Sequence, residues 1–96
     1  MDEDQFEWDD AKAQSNLVKH GVSFEAARLV FDDLFAIERL DSGGGPAEVR
    51  YVITAMANAV LLTVVYTERG DRIRFISARK ATKHEQEEYY RSQTAD

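Results

Sequence analysis

Three consecutive runs of the chain alternate between apolar and polar side chains: EVRYVITAM at 48–56, VLLTVVYT at 60–67 and RIRFISAR at 72–79. A period of two, carried by β-branched and aromatic residues, is the pattern of strands that bury one face. The gaps between the runs are only a few residues long, which restricts neighbouring strands to antiparallel order. Asn58-Ala59 and Arg69-Gly70 are where two-residue turns fit, the latter because glycine tolerates positive φ. Turns of that length set a register with Arg50 opposite Thr67, and Thr67 opposite Arg72. One face then carries Tyr51, Ile53, Ala55, Leu62, Val64, Tyr66, Ile73, Phe75, Ser77 and Arg79. Being nearly all apolar, it is expected to lie beneath the helices. The other face mixes Arg50, Arg72 and Arg74 with Val52, Val65, Met56, Leu61 and Ile76. Cross-strand neighbours lie about 5 Å apart, so the three arginines are expected to cluster. A slip of one residue would turn a whole strand over.

The remaining elements are arranged around this meander. AIERL at 36–40 reads as a fourth, shorter strand. Upstream, Asp9 caps a helix with Asp10 in its first turn, and Gly21 provides the left-handed residue that ends it. Ser23 caps a second helix in which Phe24, Ala27, Val30 and Phe31 recur at helical spacing up to Asp32-Asp33. Thr82-Lys83-His84-Glu85 has the form of a capping box and opens a last helix to about Arg91. DSGGGPAE at 41–48 reads as a flexible loop. The expected fold is α+β: two N-terminal helices, a four-stranded antiparallel sheet and a C-terminal helix, in one domain spanning 1–96.

Composition narrows the chemistry. The chain has no cysteine, which removes disulfides, thiolate metal sites and cysteine nucleophiles together. His20 and His84 stand apart without companions at ligand spacing, and no glycine-rich nucleotide loop is present, so neither metal nor cofactor is expected. The acidic start MDEDQFEWDD is unlike a signal peptide, and the apolar run AVLLTVVY at 59–66 is too short to span a bilayer. A soluble cytoplasmic protein follows. Net charge is −6, yet Arg72, Arg74, Arg79, Lys80 and Lys83 stand together without an intervening acid. Screening confines electrostatics to about 8–10 Å, so a local basic patch can hold a phosphate even on an acidic protein. The same cations also suit a solvated strand edge.

Arg79, followed by Lys80 and the start of the last helix, suits a phosphate, and equally suits a carboxylate from the acidic first half. Met56, Leu61 and Ile76 form either a partner-binding surface or a face shielded by arginine stems. His20 follows Lys19 at a helix C-terminus, where the dipole favours a protonated imidazole; it is a candidate base or simply a helix-end residue. RNA cleavage needs a base for the 2′-hydroxyl, cations for the crowded phosphorane and an acid for the leaving oxygen. Arginine serves the second task because it stays charged.

FEWDDAKAQSNLVKHGVSFEAARLVFDD at 6–33 resembles the opening of BrnT-family toxins, with the pattern W-D-x-x-K-A-x-x-N-x-x-K-H-G-V-S-F-E-x-A. VVYTERGDRIRFISARKATKHEQEEYY is similar to that family's closing strand pair and helix. The resemblance implies a RelE-like fold, a metal-independent ribonuclease that halts translation, and a BrnA-like ribbon-helix-helix antitoxin. It also implies toxin dimers within that complex and contact with DNA only through the antitoxin. By the same analogy Arg50 and Arg79 act on the scissile phosphate, while Lys19 or His20 and Glu48 assist proton transfer. Arg72, Arg74, Lys80 and Lys83 then hold the RNA. The register above, however, puts Arg50 and Arg79 on opposite faces, so either the first turn is longer than two residues or one arginine alone is catalytic. DDLFA and DSGGGPA replace the D-D-P and charged loop of relatives. The alternative is a catalytically degenerate module that only binds its antitoxin and co-represses the operon.

Overall fold

In the computed structural model, which describes residues 5–41, 43 and 47–94, a short strand β1 (Phe6–Glu7) precedes helix α1 (Asp10–His20). Helix α2 (Phe24–Ala27) tightens into a 3-10 turn over Arg28–Asp32. Then come β2 (Ile37–Asp41), β3 (Arg50–Ala57), β4 (Val60–Arg69), β5 (Arg72–Lys80) and α3 (Lys83–Thr94). Half of the loop expected at 41–48, residues 42 and 44–46, lies outside the described residues. The sheet order is β1-β5-β4-β3-β2, with β1 parallel to β5 and every other pair antiparallel. The sheet therefore has five strands, not the expected four, and is mixed rather than purely antiparallel. The added strand has two residues, too few to show a period.

Its place is explained by aromatic packing. Phe75 of β5 lies 5.5 Å from Phe6, 5.6 Å from Trp8, 5.7 Å from Phe24 and 6.2 Å from Phe31, centroid to centroid. The FEW segment thus brings two rings to the centre of the core, and β1 is the backbone that carries them. Rings at 4.5–7 Å add to the burial of their large apolar area.

The first hairpin has the expected register, Arg50 opposite Thr67, with Asn58 at φ 52° and Ala59 at φ 69°. These are the left-handed conformations of a turn that matches strand twist. The second hairpin differs. Gly70, at φ 60°, occupies the first central position, so Arg69 pairs with Arg72 and Thr67 with Arg74. A β-bulge follows: Tyr66 faces Phe75 but Val65 faces Ser77, leaving Ile76 as the extra residue. A bulge turns over everything beyond it. Ser77 and Arg79 consequently leave the apolar face and join the face of Arg50, contrary to the expected register.

The helices do not share one face. α1, α2 and the 3-10 turn cover the apolar face, where Val22, Phe24, Ala27 and Val30 pack on Ile53, Ala55, Val64 and Phe75. α3 crosses the other face, and its Tyr89 is buried with Leu61 and Ala81 against Ile37 and Met56. Met56 and Leu61, expected as a partner-binding surface, are packed under the chain's own last helix, because that end of the face is apolar and needs a cover. Ile76 is half-buried at the bulge.

Side chains close the backbone at each junction. Asp9 and Ser23 accept from the N–H groups of Lys12 and Ala26, each at 3.0 Å, and the N–H of Gly21 (φ 71°) donates to Leu17 at 2.8 Å. Thr82 and Glu85 form the expected reciprocal capping box, with bonds of 2.8 and 3.2 Å. Buried Asn16 donates to the carbonyls of Val22 (2.9 Å) and Ala78 (2.8 Å) and accepts from the N–H of Ala78 (3.1 Å). Its carboxamide takes the place of a strand neighbour beyond the end of β1. Asp33 accepts from the N–H of Met56 (2.8 Å), the hydroxyl of Tyr89 (2.5 Å) and the N–H of Phe35 (2.9 Å). Burial alone would raise its pKa; these bonds overcome that and hold it below the ordinary carboxylate range. Burial and the Asp33 bond push the Tyr89 hydroxyl up to about 12. Among the described residues, no helix is long and apolar enough to cross a membrane.

Candidate active site

The second sheet face can be read row by row from the strand pairings. One row runs Asp41–Arg50–Thr67–Arg74 and continues to Glu7 on β1. The next runs Arg39–Val52–Val65–Ser77, and the third Ile37–Thr54–Thr63–Arg79. Rows two residues apart are separated by about 7 Å. Four arginines therefore surround Val52, Val65 and Ser77. α3 packs over the third row, while Arg50, Val65, Arg74 and Ser77 stay partly exposed.

Three of the four arginines already hold carboxylates. The Nε of Arg50 lies 2.9 Å from Glu48. Glu7 lies 2.9 Å from Arg74 and 3.6 Å from Arg72, so β1 joins these two arginines while Thr67 separates them from Arg50. Arg79 grips Glu85 with both terminal nitrogens, at 2.8 and 2.9 Å. Glu85 also accepts from the backbone of Thr82 (2.8 Å) and from the hydroxyl of Thr63 (2.9 Å), which in turn bonds Thr54 at 2.9 Å. The Arg79 fork, together with Thr82 and Thr63, outweighs burial and brings the Glu85 pKa down to about 2. The same fork raises Arg79 further, against a smaller opposing effect of burial.

The other sequence-predicted residues lie elsewhere. Lys19 and His20 end α1, which packs on the apolar face, and among the described residues no hydrogen bond or ion pair links them to these arginines. Lys80, opposite Leu62, and Lys83, the first residue of α3, are exposed. Among the described residues no group of three or more His, Cys, Asp or Glu is placed to hold a metal ion. Three residues of the face escaped the sequence reading: Glu7, Glu85 as a partner of Arg79, and Arg39. The alternation of AIERL carried a signal for Arg39, since it shares parity with Ile37 and extends the register by one more strand.

The arrangement is suited to anions: four guanidinium groups on a rigid sheet, three of them held by a carboxylate that a phosphate can replace. Comparison with known proteins agrees with this chemistry. Among curated proteins none matches the sequence. A family model described as "Ribonuclease toxin, BrnT, of type II toxin-antitoxin system" matches residues 8–85. That span runs from Trp8 of the aromatic cluster to Glu85, the partner of Arg79, and takes in the whole arginine face except Glu7. The chain belongs to the BrnT family of ribonuclease toxins of type II toxin–antitoxin systems.

Proposed function

We propose that the chain cleaves RNA on the second sheet face without a metal ion and so inhibits translation. The observation that carries this reading is the shared face of Arg50, Arg74 and Arg79. Glu48 takes the proton of a 2′-hydroxyl, and the 2′-oxygen attacks the adjacent phosphorus. The P–O5′ bond breaks to leave a 2′,3′-cyclic phosphate, the 5′-oxygen taking a proton from solvent water and Glu48 returning its own to solvent. Arg50 stabilises the charge that gathers on the phosphoryl oxygens. Arg50 and Arg79 stand two rows apart, about 13 Å along the strands, and each is held by its own carboxylate. They therefore suit two phosphates of one strand rather than a single phosphate. Arg72 and Arg74 extend the track along β5 and Lys83 extends it at the start of α3, while Lys80, opposite Leu62, is an exposed cation at the end of the strand. Lys19 and His20, beneath the opposite face, receive no proton-transfer step in this reading.

By family membership the partner is an antitoxin; we propose one of ribbon-helix-helix, BrnA-like type, with toxin dimers in the complex, a RelE-like toxin fold and a cytoplasmic location. The test is regulated expression of the wild type beside Arg50→Ala and Arg79→Ala, reading growth and RNA integrity. Wild type is expected to arrest growth and degrade RNA, and the variants to do neither. Normal growth with intact RNA at verified expression refutes the reading.

The ion pairs favour a second reading, a degenerate toxin that binds its antitoxin without cutting RNA. That reading is supported by a stable complex with an antitoxin and intact RNA throughout.

A further inference from the structure

Arg39 differs from Arg50, Arg74 and Arg79. It is exposed on edge strand β2 and, among the described residues, has no hydrogen bond or ion pair. It sits in the middle row, directly beside Val52 and one row from Arg50. A groove of about 400 Å³ between β2 and α3 is lined by Arg39, Val52, Thr54, Thr82 and His84. Glutamates Glu38, Glu85 and Glu88 also line it, but each has a partner. Glu38 accepts from the Tyr66 hydroxyl, Glu85 is held by Arg79, Thr82 and Thr63, and Glu88 lies 3.4 Å from His84. Among the described residues, Arg39 is thus the one of the four arginines in these three rows that can take an anion without breaking an ion pair.

We propose that Arg39 is a further RNA-contacting residue, gripping the backbone phosphate that lies over Val52, next to the phosphate held by Arg50. This rests on the ribonuclease reading above. An extended strand crossing the face from Arg39 toward Arg74 meets Arg39 first, at the open sheet edge. Its bases then pass into the groove lined by Thr54, Thr82 and His84.

The test is binding of a single-stranded RNA of about ten nucleotides, 2′-O-methylated so that it cannot be cut, to the purified full chain across a series of salt concentrations. Cleavage of unmodified RNA is measured in parallel. Arg39→Ala is expected to weaken binding about tenfold and to lower the slope of log K against log salt by about 0.7, one single-strand phosphate contact. Arg39→Lys should keep the slope while losing part of the affinity, since a lysine retains the charge but not the fork. Arg28→Ala, on the apolar-face side of the sheet, serves as the control and should change neither. In cleavage, Arg39→Ala should raise KM more than it lowers kcat. Unchanged melting of Arg39→Ala, expected of an exposed edge residue, separates lost contact from lost fold.

Wild-type affinity and slope in Arg39→Ala, alongside an active wild type, overturn this inference alone. Binding that falls in Arg39→Ala while unmodified RNA stays intact upholds the contact and removes the cleavage reading. A wild type that binds no RNA overturns both.

Discussion

Replacing Glu85 with glutamine isolates the charge of the Arg79 clamp, because glutamine also serves at the N3 position of a capping box. What is lost is the ionic fork at 2.8 and 2.9 Å; an amide offers one acceptor and turns a donor toward another donor. The Glu85 pKa is drawn from an ordinary value near 4.5 to about 2. At about 1.4 kcal/mol per unit this corresponds to roughly 3 kcal/mol. The Glu85 side chain is 15% exposed but that of Arg79 is 36% exposed, so solvent screening reduces the figure to about 1–2 kcal/mol. In a domain of this size that is a fall in Tm of about 4–16 °C at pH 7. The folded pKa is depressed, so the stabilisation is complete above the unfolded value and disappears as pH falls from about 5 toward 2. Melting wild type and Glu85→Gln at pH 7 and pH 2.5 should show a gap that closes by more than half in acid. Equal gaps at both pH values, or none at pH 7, would refute the ionic account of the clamp.

Other perturbations follow from single contacts. Asn16→Ala removes three hydrogen bonds and leaves the N–H and C=O of Ala78 buried without partners; about 2–4 kcal/mol of stability should be lost in urea unfolding. Ala59→Gly relieves a left-handed alanine at φ 69° and should raise stability by about 0.5–1 kcal/mol in the same assay. Tyr89→Phe should abolish a phenolate absorbance step near pH 12 and cost about 1 kcal/mol. The wild-type Tyr89 pKa is raised, so its contribution to stability is complete below the ordinary phenol value and is lost only as pH climbs through 12.

The legible parts of the fold were those set by local chemistry. Asp9, Gly21, Ser23 and the Thr82/Glu85 box all bond as their residue types require, since a cap involves atoms three or four residues apart. The first hairpin was readable because Asn58 tolerates a left-handed backbone. The second was not, because Gly70 fits either central position of a turn, and one choice moves β5 by two residues. Nothing local marks Ile76 as the bulged residue; the bulge lets Phe75 and Ala78 both face the core while Ser77 and Arg79 face out. Alternation therefore assigned Phe75 correctly and Arg79 to the wrong side. β1 and the placement of α3 were illegible for a related reason. Two residues have no period, and α3 buries Tyr89 alone, so no stripe announced which face it covers.

The clamp also decides how the two arginine substitutions must be compared. Arg50 and Glu48 are 33% and 35% exposed, and an ion pair of that kind contributes about 0–1 kcal/mol. A phosphate can displace Glu48 at little cost, and Arg50→Ala should melt within a few degrees of wild type. Arg79→Ala strands the Glu85 carboxylate beside Thr63 under α3, and leaving a half-buried charge without its partner costs about 2 kcal/mol or more. Relief of growth arrest by Arg79→Ala alone is therefore compatible with simple loss of the folded toxin. Relief by Arg50→Ala at unchanged Tm assigns the effect to the Arg50–Glu48 site, because among the described residues Glu48 is the partner of that side chain and no packing depends on it. Growth arrest that persists in a well-folded Arg50→Ala chain would move the chemistry off this row of the sheet.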